Sequence, residues 1–377
     1  MKNDGVVITC KRIFKASLFL LKPVGSGNIL FISGSGDSAM YRAYHVAEEL
    51  EMHAFQCSVT IQDNPLLANY ASKFDVFVFH RTVMTSTVSK LIRKIKQQHK
   101  EIIFETDDLL FDPKYLKQAD YLKNISSLEK RAYENGLGAE ILNDPYVRVC
   151  TTTTRFLADK LKEKGKQVFI VQNKLSNEDL KMAEEVLKNK KPHNSQQILL
   201  GYFSGTMSHN KDFATITDAL VEVMKKYSQV KLFLAGPLNI ENQLDKFSSR
   251  IIRSSFVSRK EHFENIAGVD INLAPLEIGD PFCEAKSEIK FSGAGILKVP
   301  TIATATQTFK EAITDGVDGF VVSTTNEWMI KLGKLIDDEK LRKEMGEKAY
   351  EKTMAQYTNK NSRNEEYYNF LRSKMRK

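Results

Sequence analysis

The sequence predicts an α/β protein with two domains, each built around a parallel β-sheet that is covered by helices on both faces. Short apolar runs of strand length alternate with segments of helical spacing over residues 28–173, and the alternation starts again at residue 198. This alternation is typical of parallel sheets, because each strand is joined to the next by a crossover helix. The segment 190–197, KKPHNSQQ, has the composition of a linker, so the sequence predicts a domain boundary near residues 175–195.

The first predicted domain covers residues 1–180. Its predicted strands are 28–32, 75–79, 101–105, 147–153 and 168–171, and its predicted helices are 41–50, 88–97 and 155–164. A loop with Gly34 and Gly36 joins the first strand to the first helix, as in the opening unit of a nucleotide-binding domain. The loop lacks the third glycine of the dinucleotide fingerprint, so a plain tight turn is the alternative interpretation.

The second predicted domain covers residues 181–355, and a basic C-terminal helix within 356–377 could pack back on the first domain. The predicted strands are 198–203, 230–235, 251–252, 269–273 and 301–304. The predicted helices of this half are 178–189, 213–226, 259–266, 327–335, 339–354 and 361–376. The basic residues near the C-terminus could touch an anionic membrane surface of acidic phospholipid, or they could belong to a solvated amphipathic helix.

Composition and charge are those of a soluble globular protein that suits an anionic ligand. The chain has 377 residues, a hydrophobic fraction of 42% and a net charge of +8. The basic residues form no continuous stripe with interleaved aromatics, which argues against nucleic acid as a partner. The four cysteines lack metal-ligand spacing and suit a reducing cytoplasm. We find no apolar run of membrane-span length and no convincing signal-peptide cleavage site.

The stretch 280–304, DPFCEAKSEIKFSGAGILKVPTIAT, carries the strongest local signals for a binding site. Ser287 stands at the predicted start of a helix, where its hydroxyl would cap the first turn. The negative charge of Glu288 would interact favourably with the positive end of the helix dipole. The amide groups of a helix start and the ammonium groups of Lys286 and Lys290 together predict an anion site. The alternative is a solvated helix with ordinary surface lysines.

Polar residues also follow two predicted strands of the first domain. His80 and Arg81 end the second predicted strand, and Asp107 and Asp108 come just after the third. Side chains past the carboxyl ends of parallel strands lie where open α/β sheets bind their ligands. A metal ion or an acceptor hydroxyl could use the two aspartates, or the pair could cap the next turn. His80 could equally be structural.

Several motifs occur in the order found in one enzyme family and extend from about residue 28 to residue 357. In the first half they are Tyr41-Arg42, the strand from Asp75 with Arg81, the segment 105–111 (ETDDLLF), and Thr152-Thr153-Thr154 with Asn173. In the second half they are Gly205 followed six residues later by Lys211, the segment 286–291 (KSEIKF), Pro300, Glu311 and the segment 315–320 (DGVDGF). The chain resembles a glycosyltransferase of the GT-B fold, in the large retaining family called family four or group 1, and within it a subgroup common in bacterial surface-polysaccharide clusters.

The resemblance implies two Rossmann-like domains that face each other across a cleft, with a nucleotide-sugar donor held by the second domain and the acceptor by the first. It implies transfer with retention to a saccharide or lipid-linked glycan in the cytoplasm or at the inner face of the membrane, with no cofactor and no metal. The candidate catalytic residues are Lys211, Lys286 and Glu284. The candidate donor-binding residues are Gly205, Thr206, Lys211, Ser287, Glu288 and Lys290. The candidate acceptor-binding residues are His80, Arg81, Asp107 and Asp108.

Two features depart from the family's pattern. Thr206 follows the glycine of the phosphate loop, where the family usually has arginine. The family usually has two glutamates eight positions apart, and these positions are Ala285 and Gly293 here. Glu284 or Glu288 would then hold the ribose, or nucleoside binding is weakened. These departures support a rival hypothesis, a catalytically silent GT-B subunit that stabilises a partner transferase. A third hypothesis is an enzyme that acts on the nucleotide sugar itself, such as an epimerase.

Overall fold

The computed structural model describes residues 24–34, 36, 38–116, 135–190, 197–205 and 210–376. These residues form two six-stranded sheets. Every pair of neighbouring strands in both sheets is parallel. The predicted α/β class with two parallel sheets is therefore confirmed.

The first sheet has the strand order β2-β1-β3-β4-β5-β6. Its strands are β1 (Ile29–Ser33), β2 (Cys57–Ile61), β3 (Val76–His80), β4 (Glu101–Glu105), β5 (Val149–Thr152) and β6 (Gln167–Ile170). A π-helical turn (Met40–His45) leads into the first of the helices, which are α1 (Val46–Met52), α2 (Ser86–Gln97), α3 (Pro113–Leu116), α4 (Ala139–Leu142), α5 (Arg155–Lys162) and α6 (Asn177–Lys188). A 3-10 helix (Leu67–Ser72) lies between β2 and β3.

The second sheet has the strand order β12-β11-β10-β7-β8-β9. Its strands are β7 (Ile198–Phe203), β8 (Val230–Ala235), β9 (Ile251–Ser254), β10 (Ile271–Ala274), β11 (Thr301–Thr304) and β12 (Gly319–Val322). The helices are α7 (Asn210–Ala214), α8 (Thr217–Lys226), α9 (Arg259–Ala267), α10 (Pro281–Glu284), α11 (Ile289–Gly295), α12 (Gln307–Ala312), α13 (Thr325–Asp337), α14 (Glu339–Gln356) and α15 (Glu365–Ser373). A 3-10 helix (Asn242–Arg250) precedes β9.

Helix α2 shows how the local sequence produces these elements. Thr85 caps its start by accepting a hydrogen bond from the backbone amide of Val88. The apolar residues recur at helical spacing and are buried against the first sheet; they are Val88, Leu91, Ile92 and Ile95. The neighbouring strand β3 is buried at all five of its positions, as expected of a parallel strand with both faces covered.

The register of the first sheet brings three polar residues to the same edge. Ser33 pairs with His80 across β1 and β3, and His80 pairs with Glu105 across β3 and β4. All three residues end their strands, so the carboxyl edge of this sheet carries a row of polar side chains. This edge is where ligands bind in open α/β sheets.

The end of the chain returns to the first sheet through α15. Tyr367 and Leu371 belong to the buried cluster that contains Ile29 and Phe31, and the ring centroids of Phe169 and Tyr367 are 5.4 Å apart. Two basic residues of this tail form ion pairs with the first domain: Lys374 with Glu101 at 2.9 Å and Arg376 with Asp75 at 2.6 Å. The boundaries predicted at residues 180 and 355 stay a prediction.

Three details differ from the sequence prediction. The helix predicted to start at Ser287 has Glu288 at its N-cap position without a side-chain hydrogen bond, because the Ser287 hydroxyl instead contacts Asn173. The helix predicted over 213–226 is divided between α7 and α8 near Ile216. The prediction omitted the strands β2 and β12, which lie at the edges of the two sheets. Among the described residues, no helix is both long and apolar enough to cross a membrane.

Candidate functional site

Two contacts join the carboxyl edge of the first sheet to the second domain. Asn173, which follows β6, donates from Nδ2 to the Oγ of Ser287 at 2.9 Å. Arg155 begins α5 and places its Nε 3.1 Å from Oε1 of Glu311 in α12. The segment 284–290 of the second domain therefore lies opposite the ends of the first-sheet strands. The site is a cleft with one wall from each domain.

Arg42 is the buried centre of the first wall. Its Nε and Nη2 donate to the two carboxylate oxygens of Glu105 at 2.8 and 2.9 Å, which makes a bidentate pair. Its Nη1 donates to Oδ1 of Asn173 at 3.0 Å and to the carbonyl oxygen of Val171 at 2.7 Å. Arg42 thereby orients the amide of Asn173 so that Nδ2 points to Ser287.

Three of the four predicted acceptor-binding residues form one cluster. Arg81 donates from Nε to Oδ1 of Asp107 at 2.6 Å, and its Nη2 pairs with Oδ2 of Asp108. A Cβ on Gly34 would lie 1.9 Å from the carbonyl oxygen of Arg81, so this close approach of two backbone segments requires glycine. The three clustered side chains keep exposed fractions of 12–18%. They remain accessible from the cleft.

His80, the fourth predicted acceptor-binding residue, is fully buried. Its Nδ1 lies 3.4 Å from the hydroxyl of Ser33, and its Nε2 lies 3.2 Å from that of Ser38 and 3.8 Å from Oδ1 of Asp107. The ring supports Asp107 from inside the domain and does not line the cleft.

The two aspartates of the cluster differ in pKa. Burial alone would raise the pKa of Asp107, but the charge of Arg81 and the contact with His80 outweigh burial and hold the pKa well below its usual range. Burial raises the pKa of Asp108; Arg81 opposes the rise and the charge of Asp107 adds to it. Lys286 also lowers the pKa of Asp108, so its ammonium acts electrostatically across the cleft. The ionised carboxylate of Asp107 can accept a hydrogen bond from a ligand hydroxyl, and the neighbouring Asp108 can help to orient that hydroxyl.

In the second wall, the ammonium group of Lys290 is held by contacts with neighbouring groups. Its Nζ donates to the carbonyl oxygen of Phe203 at the end of β7 and lies 4.8 Å from the ring centroid of Tyr202. Burial lowers the pKa of Lys290 to about 8; Asp212 opposes this decrease and Lys286 adds to it. A bound anion would favour the charged form of such a lysine, so Lys290 suits a phosphate ligand.

The candidate phosphate-loop residues lie next to the same segment. Lys211 is an exposed residue of α7, and the following residue, Asp212, accepts a hydrogen bond from Sγ of Cys283 at 3.0 Å. This contact joins α7 to α10. Gly205 lies two residues after the end of β7, and a Cβ on it would meet no atom of the described part of the chain within 4 Å. Thr206 lies outside the described residues.

The acidic candidates of the second wall differ in their surroundings. Glu288 is only 1% exposed, and its Oε1 has no hydrogen-bond partner within the part of the chain that the structure describes. Burial raises the pKa of Glu288 to about 7, and Arg42 opposes the rise. Glu284 is partly buried, and its Oε2 accepts from the backbone amide of Gln307 at 3.3 Å. A buried oxygen without a partner requires an explanation, and a ligand hydroxyl would supply the missing hydrogen bond.

Gly293 lies within α11, and among the residues that the structure describes no atom would lie within 4 Å of a Cβ built on it. There is therefore room for a side chain at position 293, and the glycine does not supply one. Among the described residues, no group of three or more His, Cys, Asp or Glu side chains is placed to hold a metal ion.

A further contact between the domains lies beside the cleft. Arg259 of α9 donates from Nε to Oδ1 of Asp179 at 2.6 Å and from Nη2 to the hydroxyl of Tyr41 at 3.0 Å. Sequence reasoning did not assign a role to Arg259, Arg42 or Asn173. The motifs Tyr41-Arg42 and Asn173 were the signals that could have indicated the last two.

The second wall of the cleft lies in a part of the chain that matches a family model of known proteins. Residues 199–338 match the family model described as Glycosyl transferases group 1. This segment contains all the predicted donor-binding residues. No curated protein sequence matches the chain.

Solved glycosyltransferase structures superpose over nearly the whole chain. Anabaena Alr3699/HepE in complex with UDP and glucose has a TM-score of 0.61 at 13% identity, and the alignment covers 92% of this chain and 100% of that chain. A glycosyltransferase from Rickettsia africae ESF-5 has a TM-score of 0.60 at 12% identity, covering 93% and 99%. WaaG, a glycosyltransferase involved in lipopolysaccharide biosynthesis, has a TM-score of 0.55 at 15% identity, covering 91% and 99%. The chain therefore has the GT-B fold, and its residues 199–338 match the group 1 glycosyltransferase domain.

Proposed function

We propose that this protein is a retaining glycosyltransferase that moves a sugar from a nucleotide-activated donor to a hydroxyl group of a saccharide or lipid-linked glycan. One observation carries the proposal. Within the matched domain, Lys286 acts on Asp108 of the Arg81 cluster and Ser287 is bonded to Asn173 of the first domain, while Lys290 of the same segment lies close enough to Lys286 for their charges to interact. We assign the donor diphosphate to these cations and a hydroxyl group of the acceptor to the carboxylates of Asp107 and Asp108.

The donor diphosphate is assigned to the second wall. Negative charge grows on the leaving phosphates in the transition state, and cations held in place beforehand stabilise that charge. Lys211, Gly205 and Thr206 are the first candidates for this task, and Lys286 and Lys290 are the second. Glu288 is assigned to a hydroxyl of the donor, because its buried Oε1 has no partner among the described residues. A uridine diphosphate sugar is the first donor to test, since HepE binds UDP and UDP-glucose.

The acceptor is assigned to the first wall. Asp107 and Asp108 would accept hydrogen bonds from its hydroxyl groups, while Arg81 holds both carboxylates in place. Transfer requires the anomeric carbon and the acceptor oxygen to be aligned with water excluded, and closure of the two domains would achieve both. The leaving phosphate would receive the proton of the acceptor hydroxyl, as the resemblance implies for retaining enzymes.

We assign the reaction to cell-surface polysaccharide or glycoconjugate synthesis in the cytoplasm of a bacterium. The involvement of WaaG in lipopolysaccharide biosynthesis supports this assignment. An anionic membrane surface would meet α2, because this helix exposes Lys90, Arg93 and Lys94 and contains no acidic residue. The C-terminal tail is less suited to that contact, since Lys374 and Arg376 are paired with the first domain and Arg372 is paired with Glu365 of the tail itself.

A thermal-shift panel with UDP, GDP, dTDP and CDP tests the donor assignment. A ligand at a hundred times its dissociation constant should stabilise the protein by about 2.7 kcal/mol. We expect one nucleotide to stabilise the native protein and the Lys211→Ala variant to lose this response. If none of the four nucleotides shifts the unfolding temperature, the silent-subunit hypothesis, which Gly293 and Thr206 favour, becomes the better one.

A further inference from the structure

The short helix α10 of the second domain lies between the two domains. Asp280 caps its start, because its Oδ1 accepts hydrogen bonds from the backbone amides two and three residues later, at 2.9 and 3.0 Å. Residues three positions apart share one face of a helix, so Phe282 and Ala285 lie on the same side. The two residues between them, Cys283 and Glu284, point in other directions. The helix therefore has two different faces.

The face with Phe282 and Ala285 contacts the first domain. Ala285 is only 1% exposed and belongs to a buried apolar cluster whose other buried members all lie between residues 30 and 161. Phe282 is partly buried and packs against this cluster and against a second one, which consists of Leu110, Leu116 and Leu137. Both side chains are thus seated on first-domain residues, although α10 follows β10 of the second domain.

The other face of α10 is held by the second domain. The Sγ of Cys283 donates to Oδ1 of Asp212 in α7 at 3.0 Å. The Oε2 of Glu284 accepts from the backbone amide of Gln307, which begins α12, at 3.3 Å. Movement of the second domain away from the first would therefore carry α10 with it and would pull Phe282 off its apolar clusters.

This apolar contact favours the closed cleft more than the polar contacts across the cleft do. The ion pair of Arg155 with Glu311 has exposed fractions of 62% and 46%, and exposed pairs of this kind contribute little. The hydrogen bond that Ser287 accepts can be exchanged for one from water when the domains separate, so its net contribution is small. The apolar surface of Phe282 and Ala285 has no such substitute in water.

We propose that Phe282 and Ala285 form the closure contact of the cleft and act as positioning residues for sugar transfer. Lys286 follows Ala285 directly, so the seated helix fixes where this lysine lies. Leu110, on whose cluster Phe282 packs, donates its backbone N–H to Oδ1 of Asp108 at 2.9 Å. The same contact thus holds a donor-side cation and an acceptor-side carboxylate in register. The positioning role rests on the proposed transferase function, whereas the closure contact does not.

The packing also gives Ala285 a function of its own. It is one of the two positions at which the chain departs from the family's pattern, and its side chain lies within the apolar cluster of the first domain. A carboxylate at this position would be buried among apolar side chains without a partner, which is costly. In this chain, position 285 serves the contact between the domains and not a ligand.

Small-angle X-ray scattering of the full chain tests the closure contact without any need for turnover. Phe282→Ala deletes the ring, and Ala285→Glu places a charge in the apolar cluster. We expect both variants to have a larger radius of gyration than the native protein. Phe282→Leu keeps a large apolar side chain and should retain the native value. Phe370→Ala is the control, because Phe370 is also partly buried and packs against Phe169 of the first domain, outside the cleft.

Steady-state kinetics and calorimetry test the positioning role, with the nucleotide that the thermal-shift panel identifies. We expect Phe282→Ala to lower kcat about tenfold, because the donor and the acceptor are no longer held in alignment. Its Kd for the nucleotide should stay close to the native value, since Cys283 keeps α10 on the second domain. Phe282→Leu should restore most of kcat, and Phe370→Ala should lose stability but keep the native kcat.

A native radius of gyration in a folded Ala285→Glu protein would overturn the closure contact, and so would an equal increase in Phe370→Ala. If Ala285→Glu does not fold, the radius of gyration of Phe282→Ala decides the same question. An open Phe282→Ala protein with the native kcat would overturn the positioning role. If no nucleotide binds, the transferase function is wrong, while the scattering still decides whether α10 closes the cleft.

Discussion

The side-chain amide of Asn173 donates a 2.9 Å hydrogen bond to the hydroxyl of Ser287 and so joins the first domain to the donor segment of the second. The same amide accepts a hydrogen bond from Arg42, which is held by both carboxylate oxygens of Glu105. A continuous polar chain therefore runs from the interior of the first domain to the second wall of the cleft. The residues of this chain are far apart in the sequence, from Arg42 to Ser287, and only the fold brings them together.

Replacing Asn173 should affect both stability and the cleft. Asn173→Ala removes the bridge to Ser287 and one acceptor of the buried Arg42, so we expect a loss of about 1–3 kcal/mol in the free energy of unfolding. Ser287→Ala is the matched control, because it removes the same bridge and leaves Arg42 its acceptor. We expect the two variants to raise the KM for the donor to a similar extent, while denaturant titration shows a loss of stability only for Asn173→Ala. An Asn173→Ala protein with native stability and an unchanged KM for the donor would show that the Asn173–Ser287 hydrogen bond supports neither the fold nor the donor site.

Gly293→Glu should restore a nucleoside contact. The space around the Gly293 position is open, and a glutamate within α11 also improves helix propensity by up to about 1 kcal/mol. We expect nucleotide affinity to rise about tenfold, the gain typical of a hydrogen bond to a charged group. The isosteric neutral variant Gly293→Gln separates charge from shape, and calorimetric titration with UDP is the measurement. Equal affinities for Gly293→Glu and the native protein would mean that the nucleoside lies elsewhere.

Gly34→Ala should disturb the first wall selectively. The added Cβ would lie 1.9 Å from the carbonyl oxygen of Arg81, so that backbone must shift and carry the Asp107 contact with it. We expect a loss of stability of about 1–3 kcal/mol, as is usual for overpacking, and a higher KM for the acceptor. Gly25→Ala is the control, since a Cβ there meets no atom of the described residues within 4 Å. If both variants have native KM values for the acceptor, the Arg81 cluster is not an acceptor site.

Vesicle sedimentation tests the role of α2 at a membrane. Each exposed basic residue near an anionic surface contributes about 1 kcal/mol, so the triple variant Lys90→Glu/Arg93→Glu/Lys94→Glu should lose binding to phosphatidylglycerol vesicles. The control Arg372→Glu/Lys374→Glu changes the tail, whose charges are paired within the chain, and should keep most of the binding. If the tail variant loses more vesicle binding than the α2 variant, the C-terminal helix and not α2 is the membrane contact.

The sequence was informative where local patterns decide the structure. The apolar run at 198–203 gave the bounds of β7, whereas Cys57–Ile61 was missed because this edge strand is mostly only partly buried and has a weak apolar pattern. Serine is a residue type that commonly caps helices, but the hydroxyl of Ser287 accepts a hydrogen bond from Asn173, which lies 114 positions earlier in the chain. His80 was a candidate acceptor-binding residue, but its ring is buried and its two nitrogens contact the hydroxyl groups of Ser33 and Ser38. Side-chain partners so far apart in sequence cannot be read from one chain.

The buried carboxyl of Glu288 makes stability depend on pH in a predictable direction. Its pKa is raised from 4.5 to about 7 in the folded protein, so the folded state binds the proton more tightly than the unfolded state. The stability that protonated Glu288 contributes is fully present below about pH 4.5 and is lost as the pH rises through 7. Glu288→Gln mimics the protonated form and should lack this loss, which amounts to at most about 3 kcal/mol. We expect denaturant titration to give similar stabilities for the two proteins at pH 5 and a more stable variant at pH 8. Glu284→Gln serves as the partly exposed control, and a difference between Glu288→Gln and the native protein that is the same at every pH would contradict the assignment.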